Sequence, residues 1–413
     1  MKSPRAFAGR KKHVLNLVDE LLTEGSCPVI YGDRGLGKSS LAAQLERIAL
    51  GDVELLDNLG HKDRALAEGD RFITIRLSCS DIMKTPRLLF QALVNEAEVY
   101  KSLEEMPSTF EAEQKRIKNT FTLRFFSRSV EKEYKKGSHI SFEKLTLDEK
   151  LLTVLKSVNE KYKRPILLII DEIDRVADTR GLGGFIKNNS SDWLKFMLVG
   201  VANNISALLD DHESVERLIA PVKIERMQPA ETRSIITKAQ KIMHSLGVKI
   251  CFSEQAKKKL VSSVNGFPWF LHVICQEALK LAYESEDLIV TEEHVELSIE
   301  NLSINKFAQQ FEDLYLRAVR DSRPREIVLR LMASWPEQNV PLADVYAMAR
   351  QLKVKNPSQC KRHLTQEQYG AVLTKNVGAL KNVIRFKNAM FKQYAILRDA
   401  LYEDVEIAID SVW

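Results

Sequence analysis

A phosphate-binding loop places the tightest constraint on this chain. Gly32-Asp33-Arg34-Gly35-Leu36-Gly37-Lys38-Ser39, continued by Ser40, fills every fixed position of the pattern Gly-x4-Gly-Lys-Ser/Thr. Its flanks fit as well: Pro28 to Tyr31 is a short apolar run, and Ser39, Leu41, Ala42, Leu45 and Ile48 have helical spacing. Glycines let such a loop curl with its N–H groups inward, and the helix that follows adds positive partial charge. Lys38 then reaches the terminal phosphates and Ser39 offers an oxygen to magnesium, so ATP and Mg2+ are the expected ligands. A chance glycine-rich turn is the alternative, and it leaves the strand-loop-helix context unexplained.

The rest of the first half alternates between strand and helix patterns. Val14 to Leu22 has helical periodicity, Phe72 to Leu77 reads as a strand, and Leu88 to Ala97 reads as an amphipathic helix. Leu147 to Lys161 predicts a helix, Pro165 to Ile170 a buried strand, Lys195 to Val201 another, and Val222 to Met227 the last. Between Lys101 and Thr146 the charged sequence reads as an insertion or exposed hairpin. Alternating strands and helices imply an α/β fold with a mainly parallel sheet covered on both faces. Asp171 follows five aliphatic residues and is expected at the carboxyl end of its strand, where such sheets bind ligands. That suits a magnesium ligand, and Glu172 beyond it suits a residue that polarises attacking water. The bland alternative is that Asp171, Glu172 and Asp174 solvate a loop.

At 413 residues the chain exceeds what one core usually serves. We expect a core over 1–228, a helical lid over 229–303 with a break at Gly266 to Pro268, and a further domain over 304–413. The run Ile166 to Ile170 is too short to cross a bilayer, so no membrane partner and a cytoplasmic location are expected. Five scattered cysteines lack metal-ligand or disulfide spacing and read as reduced thiols.

With the phosphate loop and acidic strand end in hand, Phe7 to Ala282 resembles the AAA+ and signal-transduction ATPases, including initiators of the origin-recognition type. Phe7-Ala8-Gly9-Arg10 looks like the adenine-side box of that group, Asp171-Glu172-Ile173-Asp174 like its acidic motif, and Gly200 to Asn204 like its sensor strand. The resemblance implies ATP hydrolysis, a γ-phosphate sensor at Asn203, and an arginine finger at Arg217 that acts on a neighbouring copy's nucleotide. A cation satisfying helix-end carbonyls is the other reading of Arg217. Where initiators carry a sensor arginine, this chain has Gly266-Phe267-Pro268-Trp269-Phe270, closer to signal-transduction ATPases, in which the proline packs near adenine.

From Val345 to Arg398 the single acid is Glu367, against Arg350, Lys353, Lys355, Lys361, Arg362, Lys375, Lys381, Arg385, Lys387, Lys392 and Arg398. Helices are expected over Arg325 to Ala333, Val340 to Leu352 and Ser358 to Gln368, with Val383 to Phe386, preceded by Gly378, as one arm of a wing. This resembles a winged helix presenting Lys361, Arg362, His363, Arg385 and Lys387 to double-stranded DNA. The chain thus reads as an ATP-driven switch in a DNA-associated process, self-associating or with a protein partner. The competing reading is a nucleotide switch that gates a protein, its winged helix an internal latch.

Overall fold

The computed structural model describes residues 3–102, 145–202, 205, 208–209, 215–303, 308–335, 339–374 and 382–398. Most of the charged stretch between Lys101 and Thr146 lies outside the described residues, as do Asn203, Lys375, Gly378 and Lys381.

The chain enters through α1 (Lys11–Leu22), whose Val14, Leu17, Val18 and Leu21 form the buried stripe that helical spacing dictates. It then alternates through β1 (Cys27–Gly32), α2 (Lys38–Ala49), α3 (Glu54–Asn58), β2 (Ile73–Ser78) and α4 (Pro86–Ser102). There follow α5 (Leu147–Tyr162), β3 (Ile166–Asp171), α6 (Leu182–Asn189), β4 (Leu194–Val201) and β5 (Ile219–Lys223). The strands form one sheet in the order β2-β3-β4-β1-β5, every pair parallel. This is the expected α/β class, and all six residues of β3 are buried, as a strand covered on both faces requires.

Alternation assigns the two faces. Ile166, Leu168 and Ile170 of β3 join Ile73, Ile75 and Leu77 of β2 in one apolar cluster with residues of α4, α5 and α6. Thr74, Arg76 and Ser78 of β2, and Leu167, Ile169 and Asp171 of β3, therefore point to the opposite face. Each fully buried aliphatic side chain in these layers contributes about 1.5–3 kcal/mol.

By internal contacts the chain divides into two compact units, Met1–Gly32 with Gly37–Glu225, and Asp33–Leu36 with Arg226–Trp413. The second unit contains α7 (Pro229–Ser245), β6 (Cys251–Phe252), α8 (Glu254–Val264), α9 (Pro268–Glu284), β7 (Ile289–Val290) and α10 (Glu292–Glu300). It continues with α11 (Gln309–Val319), α12 (Arg323–Ser334), β8 (Val340–Pro341), α13 (Leu342–Gln351), α14 (Pro357–Leu364), β9 (Val383–Ile384) and α15 (Ala389–Arg398). An aromatic cluster joins its parts: Trp269 meets Phe311 at 5.8 Å between ring centres, and Phe311 meets Tyr394 at 5.7 Å.

Several expected elements are corrected. The last strand of the main sheet is Ile219–Lys223, not Val222 to Met227. Pro221 sits inside it opposite Val29, tolerated because β5 is an edge strand that can spare one N–H. Ile224 and Met227 are buried after the strand has ended, so their apolar spacing reports the core and not the strand. The segment from Pro229 to Asn301 is not helical throughout, since β6 and β7 pair in parallel. Val340 and Pro341 pair antiparallel with Ile384 and Val383, so the second C-terminal helix starts at Leu342. The third stops at Leu364 and is followed by a 3-10 turn over Glu367–Tyr369.

Candidate functional site

Parallel pairing brings the carboxyl ends of the strands to one edge. Gly32 of β1 lies opposite Val201 and Asp171 of β3 opposite Val199, so β1 and β3 flank the end of β4 with the loop and the acidic pair side by side. The loop needs its glycines. Gly32 has φ +141°, and a Cβ there would strike the backbone carbonyl of Ile224. Gly37 caps α2 at φ 89° and supplies no side-chain cap, and the N-terminal end of a helix is where anionic groups are favoured. Ser40 occupies the first turn of α2.

Lys38 is 7% exposed, and its ammonium donates to the Gly32 carbonyl at 3.0 Å, which holds it folded back on the loop. The Ser39 hydroxyl donates to Asp171 Oδ1 at 3.3 Å, and the backbone N–H of Glu172 donates to the same oxygen at 2.9 Å. Two facing hard oxygen donors match the sparse protein ligation that magnesium takes in phosphate-loop sites.

Arg76 belongs to this constellation and was not anticipated. Its guanidinium pairs with Asp171 Oδ2 at 2.5 Å and with Glu46 Oε2 at 2.9 Å, the two carboxylates being 4% and 5% exposed at the side chain. Burial alone would lower the Arg76 pKa, but the charges of Glu46 and Asp171 outweigh it and raise it. Removing one partner of such a buried network costs about 3–5 kcal/mol, because a charge is left uncompensated. The signal was present in the alternation of β2, where Arg76 falls on the face shared with Asp171. It becomes legible once β2 is known to lie beside β3.

Glu172 stands at φ 57°, a left-handed conformation that costs a non-glycine residue about 1–2 kcal/mol. Its carboxylate pairs with Arg175 at 3.2 Å and is 42% exposed. Asp174 does not solvate a loop: its Oδ1 accepts the Val201 N–H at 2.7 Å and ties down the end of β4. Cys79, beside these groups, is pushed up to about 12 by burial and then by Asp171, Asp174 and Glu172, so it stays a thiol. Burial does the same to Cys27 and Cys275, each raised to about 12.

The other expected site residues are dispersed. Phe7 and Arg10 are buried, and the Arg10 guanidinium donates to the Glu225 carbonyl at 2.5 Å beyond β5. Arg217 is exposed in the turn before β5. Pro268 opens α9 in the second unit, beside Phe267, whose ring lies under Arg226 at 4.9 Å. Asp33, Arg34, Gly35 and Leu36 group with that second unit, where a Cβ on Gly35 would collide with Met390 Sδ of α15.

In the C-terminal stretch, Arg362 is exposed and Lys361 half-buried on α14. His363 is turned to packing instead of presentation. It stacks on Tyr369 at 4.8 Å and meets the buried Arg325 at 3.2 Å. Arg385 hydrogen-bonds Asn339, while Lys387 pairs with Glu367 at 3.7 Å. Lys392 is 3% exposed and donates to the Trp335 carbonyl at 2.5 Å, and Arg398 grips Glu312 at 2.8 and 3.0 Å. The last two are structural cations, so the stretch is less of an open basic surface than its composition implies.

No protein-family profile matches the chain, and neither does any curated protein sequence. Among solved structures, Aeropyrum pernix ORC2 in its ADPNP-ADP complexes is similar at 13% identity, TM-score 0.48, covering 97% of this chain and 93% of that one. Aeropyrum pernix ORC1 in complex with DNA is similar at 12% identity, TM-score 0.44, with 98% and 95% covered. The Thermotoga maritima RuvB Holliday junction branch migration motor is similar at 15% identity, TM-score 0.43, with 94% of each covered. Among the described residues no helix is long and apolar enough to cross a membrane.

Proposed function

We propose that this chain is an ATP-binding and ATP-hydrolysing switch of the AAA+ type, acting in a DNA-associated process. The observation that carries the reading is the 3.3 Å approach of the Ser39 hydroxyl to Asp171 at the edge where β1 and β3 deliver their ends. Loop N–H groups from Gly32 to Ser40 cradle the phosphates, and Lys38 exchanges its Gly32 carbonyl for phosphate oxygens. Ser39 and Asp171 would hold magnesium, which would supply charge neutralisation at the phosphates. Glu172, released from Arg175, orients the attacking water; Asn203 senses the γ-phosphate and Arg217 serves a neighbouring copy. Phe7 and Arg10 line the adenine side. Residues 1–228 form the ATPase core, 229–303 its lid and 304–413 a winged helix.

Lys361 and Arg362 on α14, with Arg385 and Lys387 beside the β8-β9 ribbon, are the proposed contacts to double-stranded DNA. The reading is tested by ATP turnover of the purified chain with and without double-stranded DNA, at low and physiological salt. DNA-stimulated turnover that disappears in Lys38→Ala is the expected result. Absence of turnover under all conditions, with Lys38→Ala indistinguishable from wild type, contradicts it.

A specific observation favours a second reading, a slow nucleotide switch that gates a protein partner. Within the second unit Gly35, at the apex of the phosphate loop, packs on Met390 of α15, as a latch that reports the loop's state would. Retained ATP binding with turnover that is near zero and indifferent to DNA selects this reading.

A further inference from the structure

We infer that Arg76 is a positioning residue of the magnesium site, holding Asp171 so that one of its oxygens stays on Ser39. The inference rests on the nucleotide reading above and adds a residue that the phosphate-loop and acidic-strand motifs do not contain.

The two oxygens of Asp171 are divided between two tasks. Oδ2 takes Arg76 Nη2 at 2.5 Å, while Oδ1 takes the Ser39 hydroxyl at 3.3 Å and the Glu172 N–H at 2.9 Å. Arg76 Nη2 also lies 3.5 Å from the Ser39 backbone carbonyl, so one guanidinium touches both proposed metal ligands. Its other arm, Nη1, is anchored on Glu46 at 2.9 Å. Ser39 and Glu46 are seven residues apart on α2, two turns along one stripe, which sets the anchor directly behind the ligand.

The charges add to the geometry. Asp171, Glu46 and Arg76 together carry a single net negative charge. Without the arginine, two buried carboxylates would face each other, and Asp171 would gain freedom to turn from Ser39. A planar guanidinium bridges two carboxylates at fixed angles, whereas a lysine ammonium supplies the charge without the fork. Outer groups that orient metal ligands in this way typically govern 10–100-fold of metal affinity.

The test measures binding of a fluorescent ATP analogue in magnesium and in EDTA, for wild type, Arg76→Gln, Arg76→Lys and Lys38→Ala. In Arg76→Gln the gain in affinity that magnesium provides should fall by about tenfold or more, with the EDTA affinity little changed, and Arg76→Lys should recover part of it. Equal loss in both buffers, or an undiminished magnesium effect in Arg76→Gln, overturns the inference. If Arg76→Gln does not fold, the double variant Arg76→Gln with Glu46→Gln removes the stranded carboxylate and is read by the same two outcomes. The nucleotide reading fails separately: wild type then shows no binding, or Lys38→Ala binds as well as wild type.

Discussion

At the carboxyl end of β3, Asp171 is 3% exposed and held by three donors, yet one of its oxygens remains on the Ser39 hydroxyl, the other ligand proposed for magnesium. In the basic stretch from Val345 to Arg398, by contrast, Lys392 and Arg398 are spent on Trp335 and Glu312, and Arg385 is tied to Asn339. Both regions look in sequence like charge awaiting a ligand. The difference lies in what fixes the charge. Asp171 is specified by its spacing from an aliphatic strand and by the loop it must meet. The basic residues are specified only by their number, and number does not distinguish a cation facing solvent from one closing a helix interface.

The comparison can be broken from either side, and the largest effect is expected at the spent cations. Arg398 and Glu312 form a half-buried pair whose carboxylate also accepts from Tyr394, and Arg398 covers the Tyr315 ring at 4.3 Å. Arg398→Ala should destabilise the second unit by roughly 2–3 kcal/mol in denaturant unfolding, leaving the first unit's transition in place. A loss under about 0.5 kcal/mol would return Arg398 to the surface class.

The same pair makes a pH prediction. Burial tends to raise the Glu312 pKa, but hydrogen bonds from Arg398 and Tyr394 outweigh it and the net shift is downward. A carboxylate lowered on folding stabilises above its unfolded value, about 4.3, and loses that contribution as pH falls through the folded value. Glu312→Gln should therefore lower stability at neutral pH by roughly 1–3 kcal/mol and flatten the acid limb below about pH 4.5. An acid limb as steep as in wild type would place the pH dependence elsewhere.

A smaller effect is expected where the basic stretch remains open. If double-stranded DNA meets α14, Lys361→Glu with Arg362→Glu should weaken binding at all sequences and reduce the salt slope by about two contacts. Lys387 is half exposed and its partner Glu367 almost fully so. Their exposed pair is worth at most about 1 kcal/mol, so Lys387→Ala should leave folding nearly untouched. An unchanged salt slope in the α14 variant would sharpen the contrast further, leaving this stretch wholly structural and favouring the protein-gating reading.

What the sequence discloses follows the same division. The strand-loop-helix from Pro28 to Ile48 and the buried strand ending at Asp171 are legible because a motif and a period specify them together. The last main-sheet strand was displaced because Pro221 resembles a breaker, while Val222 and Ile224 imitate a strand's alternation. The strands of the β6-β7 and β8-β9 ribbons are two residues each, too few to show a period. Arg76 was visible in the alternation of β2 but acquired a role only through a pairing that joins residues 95 apart in sequence. His363 and Lys392 likewise depended on tertiary partners, Tyr369 and Trp335, that no local pattern marks.

The most direct test of the central claim, that the loop and the acidic strand end make one magnesium-nucleotide site, is calorimetric titration of ATP in magnesium into wild type, Lys38→Ala and Asp171→Asn. Loss of a buried, charge-assisted phosphate contact should weaken Lys38→Ala by about 100-fold. Asp171→Asn should lose chiefly the magnesium-dependent part, with its affinity in EDTA retained. Equal affinities across the three proteins would contradict the account.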